Sequence, residues 1–143
     1  NHSFITKKNI IPRKPLSPTA KRAGWQGCLI DIEKVPDIAR VFVIRNGVLN
    51  FSGKSNKKWQ VSNHANRLSV DNRGWLSEVL SVVDKQPDNF NLNDMYKYES
   101  YFETLHPGNN NIQAKIRQQL QIIRDMGLLE FIKRGEYEKT DLL

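Results

Sequence analysis

Cysteine is nearly missing: the 143-residue chain has one, Cys28. That excludes an internal disulfide and any cysteine zinc cluster within the chain, and a lone cysteine of this kind reads as a small buried apolar residue in a reducing setting. Long apolar runs are missing too. Nothing approaches the ~18 residues of a membrane span, and no signal-peptide pattern opens the chain, so a cytoplasmic location away from membranes is expected. The first residue is Asn rather than Met, as in a fragment or a processed product.

Catalytic patterns are equally scarce. His2, His64 and His106 are scattered, without an HExxH or a carboxylate at ligand spacing, and read as surface histidines. There is no glycine-rich phosphate loop and no serine elbow. Metal-dependent nucleases bring acidic groups together on Mg²⁺, often with a lysine two residues after one of them, and no Asp/Glu-x-Lys occurs. Both "DIEK" and "EYEK" have the wrong spacing.

Acidic residues are rare in one half only. Residues 1–70 hold 13 Lys/Arg against 3 Asp/Glu, a charge of +10, whereas residues 71–143 hold 9 against 12, a charge of −3; together these give the +7 of the whole. A basic half joined to a mildly acidic one suggests two units, the first facing a polyanion.

The basic half is irregular. In "RKPLSPTAKRAGWQGC" (13–28), Ser17-Pro18 predicts a capped short helix stopped by Gly24. "RVFVIRNGVLNF" (40–51) predicts a hairpin on the type I′ dipeptide Asn46-Gly47. "SGKSNKKWQVSNHANRLS" (52–69) predicts loop, with a short strand near Trp59–Val61. The apolar content of this half makes only a thin core, as in the remainder of a larger domain.

The second half is regular. "GWLSEVLSVVDK" (74–85) sets Trp75, Val79 and Val82/Val83 on one helical face. "DNFNL" (88–92) is a short extended link. "NDMYKYESYFETL" (93–105) predicts one helix capped by Asn93, with Met95, Tyr98, Phe102 and Leu105 along one side. A third helix ends at Gly127, and "LLEFIKRGEYEK" (128–139) predicts a hairpin turning near Gly135. Helix, strand, helix, turn, helix, hairpin is the order of a winged helix-turn-helix in an α+β chain.

The third helix, within "HPGNNNIQAKIRQQLQIIRDMG" (106–127), carries the functional signal. At ~100° per residue, Ile112, Ile116, Leu120 and Ile123 fall within roughly 80° of arc. Opposite lie Asn110, Asn111, Ala114, Arg117, Gln118 and Gln121, and no carboxylate occurs from Asn109 to Arg124. Asn and Gln amides match adenine N6/N7 in the major groove of double-stranded DNA, Arg matches guanine O6/N7, and a small central Ala114 permits close approach. The first-turn asparagines are expected to leave N–H groups for a phosphate. Lys133, Arg134 and Lys139 of the hairpin would reach the backbone or an adjacent minor groove. The competing readings are a winged-helix transcription regulator with a basic extension and a protein-interaction winged helix, the latter favoured somewhat by the −3 charge.

The segments "RKPLSPTAKRAGWQGC", "RGWLSEVL", "DMYKYES" and "KIRQQLQIIRD", in this order, closely resemble the C-terminal part of the DpnI-like (Dam-replacing) type II restriction endonucleases, and the similarity covers essentially the whole chain. The resemblance implies a bacterial restriction-modification protein, monomeric, that binds adenine-methylated GATC. It implies that residues 1–70 are the C-terminal remainder of a PD-(D/E)xK nuclease domain and residues 71–143 a winged-helix domain. It also implies that the catalytic Asp, Glu and Lys, the Mg²⁺ they use and the four cysteines of a structural Zn²⁺ lie upstream. This chain is then expected to need no cofactor, to bind DNA and not to cut it. Trp25 matches the family tryptophan that meets the methyl groups, a role an apolar indole plane suits, with Lys21 and Arg22 holding phosphates. From the residues alone, Trp25 would read as a core tryptophan.

Overall fold

The computed structural model describes residues 4–49 and 53–143. The chain is α+β. Strands β1 (Ile10–Pro12) and β2 (Cys28–Ile30) form an antiparallel hairpin, and β3 (Ile44–Arg45) and β4 (Val48–Leu49) form a second. Helices α1 (Gly53–Ala65) and α2 (Val70–Val83) precede β5 (Asn89–Asn91), after which α3 (Leu92–Tyr96), α4 (Glu99–Leu105) and α5 (Ile112–Asp125) run to the strands β6 (Leu129–Lys133) and β7 (Glu136–Lys139). The last three strands make a sheet of order β5-β7-β6. Three helical segments with a short strand between the first two, closed by a β6–β7 wing, are the predicted winged helix-turn-helix.

Its core follows the helical spacing. Trp75, Leu76, Val79, Leu80 and Val83 of α2 are buried against Ile112, Ile116, Leu120 and Ile123 of α5, with Met95 of α3 and Phe102 of α4 closing the side. The Trp75 indole stacks on Phe102, ring centroids 5.7 Å apart. On the sheet, Tyr137 lies between Phe90 and Phe131 in register and contacts both rings. Phe4, Val35, Ile38, Ala39, Val61 and Ala65 of the first half belong to this same core. The apolar residues of the two N-terminal hairpins are mostly open: Leu29, Ile30, Ile32, Ile44, Val48 and Leu49 are all exposed.

Several local expectations are corrected. The short helix at 17–24 is a chain of turns. Leu16 N–H bonds the Trp25 carbonyl at 2.9 Å and Gly24 N–H bonds the Leu16 carbonyl at 3.2 Å, so the loop ends are held one strand spacing apart. The predicted loop and strand of 52–69 is instead helix α1 from Gly53 onward. It lacks an apolar stripe because only its last turns are buried: Val61, Ser62 and Ala65 pack beside Ile38 and Ala39, and Lys58 Nζ bonds Asp37 Oδ2 at 2.8 Å. Helix α2 starts at Val70, four residues before the predicted start, because the Ser69 hydroxyl accepts from Asn72 N–H at 3.3 Å. The single helix of 93–105 is two. Asn91, not Asn93, is the cap, exchanging bonds with Asp94, and the chain turns at Lys97–Tyr98. Cys28 is exposed, not buried. The Asn46-Gly47 turn is as expected, with φ of 51° and 77° at its two residues, while residues 50–51 at the end of that segment, and residue 52 at the start of the next, lie outside the described residues.

Candidate nucleic-acid interface

Helix α5 is held by its buried stripe, and its outer face is presented as a consequence. Asn110, Asn111, Ala114, Arg117, Gln118 and Gln121 are all exposed, the last four on the helix and the two asparagines in the turn leading into it. The amides of Gln118 and Gln121 have no side-chain partner among the described residues. The N–H of Asn111 is not free, since it bonds Asn109 Oδ1 at 2.8 Å. This corrects the expectation that both asparagines offer N–H groups to a phosphate. The N-cap Asn111 makes no side-chain cap, so the positive end of α5 remains open at the following residues.

Polar bonds run along the edges of the face. Gln113 Nε2 donates to Glu99 Oε2 at 2.9 Å, Arg117 Nη1 donates to the Tyr96 hydroxyl at 2.6 Å, and Lys115 Nζ donates to Asn72 Oδ1 at 2.7 Å. Lys115 also lies 5.9 Å from the Trp75 ring centroid, so its charge is turned toward α2. Gln119 is fully buried, and neither of its amide atoms has a partner among the described residues. Its position, only ~20° from Ile112 on the wheel, was the signal that separates it from the other glutamines.

The wing adds cations of unequal freedom. Lys133 is exposed but paired with Glu136 at 2.9 Å. Arg134, beside the Gly135 turn, is exposed and has no ion-pair partner among the described residues. Lys139, expected to reach DNA, is half-buried and donates to the main-chain carbonyls of Asp84 and Gln86 at 3.2 and 2.6 Å. It clamps β7 to the end of α2 instead. Arg124 lies over the Phe131 ring at 4.7 Å and is bonded to Asp125.

Trp25, Lys21 and Arg22 lie on another element, the β1–β2 hairpin, and all three are exposed. Trp25 is 57% exposed, so it is no core residue. Its six-membered ring lies against Gly27, where an added Cβ would sit 3.0 Å from Cη2. Beside the indole, Arg13, Lys14 and Leu16 help line an open recess of about 460 Å³.

The histidines differ from expectation at one site. His2 lies outside the described residues and His64 is half-buried on α1. His106 is partly buried and carries structural contacts. Its ring stacks on Trp75 at 3.8 Å, and Nε2 pairs with the buried Glu78 carboxylate at 2.5 Å. This pair borders a recess of about 630 Å³ that Lys8 also lines. Burial lowers the Lys8 ammonium from its ordinary value, and the nearby Glu78 carboxylate opposes that shift. No three His, Cys, Asp or Glu side chains converge among the described residues, and the one cysteine stands alone. No helix among the described residues is long and apolar enough to cross a membrane.

Comparison with known families gives two matches in tandem. Residues 71–139 match the family profile described as a Dam-replacing HTH domain, and residues 1–67 match that of the Dam-replacing family.

Proposed function

Because the chain belongs to the Dam-replacing (DpnI-like) family, whose helix-turn-helix makes double-stranded DNA its partner, we propose that it recognises adenine-methylated GATC as part of a type II restriction endonuclease. Residues 71–143 act as the winged-helix reader. Residues 1–70 form the end of a PD-(D/E)xK nuclease-like domain. The open apolar faces of its two hairpins support that assignment, since exposed apolar patches of this kind ordinarily have a covering partner.

The observation that carries the reading is the outer face of α5 as far as Gln121: exposed, free of carboxylates, and furnished with the Arg117 guanidinium and two amides that have no side-chain partner among the described residues. In the major groove Arg117 would take guanine O6/N7, and Gln118 or Gln121 adenine N6/N7. Arg134 and Lys133 would meet phosphates alongside. On the hairpin, the exposed Trp25 indole offers an apolar surface to an N6-methyl group, with Lys21 and Arg22 placed for the backbone.

The test is a binding titration of GATC duplexes with and without adenine methylation, at one fixed salt concentration, because phosphate contacts alone change affinity by orders of magnitude. The methylated duplex should bind more tightly; equal affinities would remove the methyl-directed reading. Arg117→Ala and Gln118→Ala should each weaken site-specific binding by about 1–3 kcal/mol. If both leave it unchanged, α5 is not the reader.

A further inference from the structure

A guanidinium at the end of a flexible side chain samples many orientations, and only a few of them present two parallel N–H groups to a base edge. Ordering it before contact removes that cost from binding. Arg117 is an exposed basic side chain of α5, and it is tethered: Nη1 donates to the Tyr96 hydroxyl at 2.6 Å. Tyr96 is itself well held. It is the last residue of α3, whose start is fixed by the reciprocal Asn91–Asp94 cap, and its neighbour Met95 is fully buried. The tyrosine is half-buried and packs against the core, whereas Arg117 is exposed.

We propose that Tyr96 is a positioning residue for DNA reading, holding the Arg117 guanidinium ready for a base edge through this one hydrogen bond. The inference rests on the reading that the α5 face contacts DNA. A guanidinium has five N–H donors, and the bond to Tyr96 occupies one. The Nη2 group and Nε remain as a parallel pair, the geometry that guanine O6 and N7 accept. Tyr96 touches no base in this arrangement. It acts from the second helical segment of the fold, and no wheel of α5 alone could point to it.

Tyr96→Phe removes the hydroxyl and keeps the ring in the core. With the whole chain, affinities for an adenine-methylated GATC duplex and for a mixed-sequence duplex lacking GATC are measured for wild type, Tyr96→Phe, Arg117→Ala and the double variant. The ratio of the two affinities should fall roughly threefold to tenfold in Tyr96→Phe, the scale of a single net hydrogen bond. Mixed-sequence affinity and Tm should stay as in wild type. The double variant should discriminate no worse than Arg117→Ala alone, because the hydroxyl acts only through that side chain. In the free chain, NMR of the Arg117 side chain should show an ordered Nε–H that becomes mobile in Tyr96→Phe. An unchanged ratio in Tyr96→Phe, a loss in the double variant beyond that of Arg117→Ala, or a mobile Arg117 in the free wild type each overturns the proposal. If Arg117→Ala itself leaves the ratio unchanged, the α5 reading fails and takes this inference with it.

Discussion

The wing offers a prediction whose size follows from two cationic side chains adjacent in sequence but unequal in their partners. Arg134 is exposed and unpaired among the described residues, whereas the Lys133 ammonium lies 2.9 Å from Glu136 Oε1. Neutralising one phosphate contributes about −0.9 to the slope of log K against log salt. Between 50 and 200 mM salt, a fourfold change, one such contact therefore accounts for roughly a 3.5-fold change in affinity. Arg134→Ala should reduce the slope by about 0.9 and weaken methylated-site and mixed-sequence duplexes alike. Lys133→Ala should change it less, because part of that charge already faces a carboxylate. The variant frees Glu136 to repel the backbone, so its affinity loss should be larger than its change in slope suggests. Fluorescence anisotropy titrations at four or more salt concentrations measure both quantities. Equal slopes for wild type and Arg134→Ala would mean that the wing tip does not meet phosphate.

Three further outcomes test the frame that presents the face. Ile116→Ala deletes three buried carbons from a fully buried side chain at the centre of the α5 stripe, about 2.4 kcal/mol of transfer and ~2–5 kcal/mol with the cavity; denaturant unfolding measures it, and a loss under 1 kcal/mol would show that α5 is not packed as described. Ser69→Ala removes the cap of α2 and should cost roughly 0.5–2 kcal/mol in the same assay, with Ser69→Asp restoring most of it. The third concerns pH. The Lys97 ammonium at 2.7 Å, and after it the Asn91 N–H, hold the Asp94 carboxyl below its ordinary value. Its contribution is then complete above the unfolded carboxylate value and is lost as pH falls through the lower folded one. Protection of the Asn91 amide should accordingly hold at neutral pH and decline only below about pH 4, a step that Asp94→Asn abolishes. Loss of protection already at pH 6 would contradict the assignment.

Much of the fold was legible where burial is one-sided. The isoleucine and leucine stripe of α5, the Trp75–Val83 face of α2 and the Gly135 wing turn announce themselves because each element packs along a single face for most of its length. α1 does not, since Val61 and Ala65 near its end carry nearly all its burial while its first turns are polar. The break between α3 and α4 was hidden for the opposite reason: Met95 and Phe102 fit a continuous stripe, although seven residues apart across a turn. At the candidate interface, exposure of Arg117, Gln118 and Gln121 could be read from the wheel. Partners in other segments could not. The Tyr96 hydroxyl on Arg117, Glu78 under His106, and the carbonyls that capture Lys139 are contacts between residues 21, 28 and 53 to 55 positions apart. Local spacing is silent about such pairs.

The most direct measurement concerns the groove. Guanine N7 lies in the major groove, so dimethyl sulfate reactivity at the guanine of adenine-methylated GATC reports whether a side chain covers it. Wild type should protect that N7, and Arg117→Ala should restore its reactivity under conditions where the duplex is still fully bound. A guanine that stays reactive in the wild-type complex would contradict the claim that the outer face of α5 reads DNA.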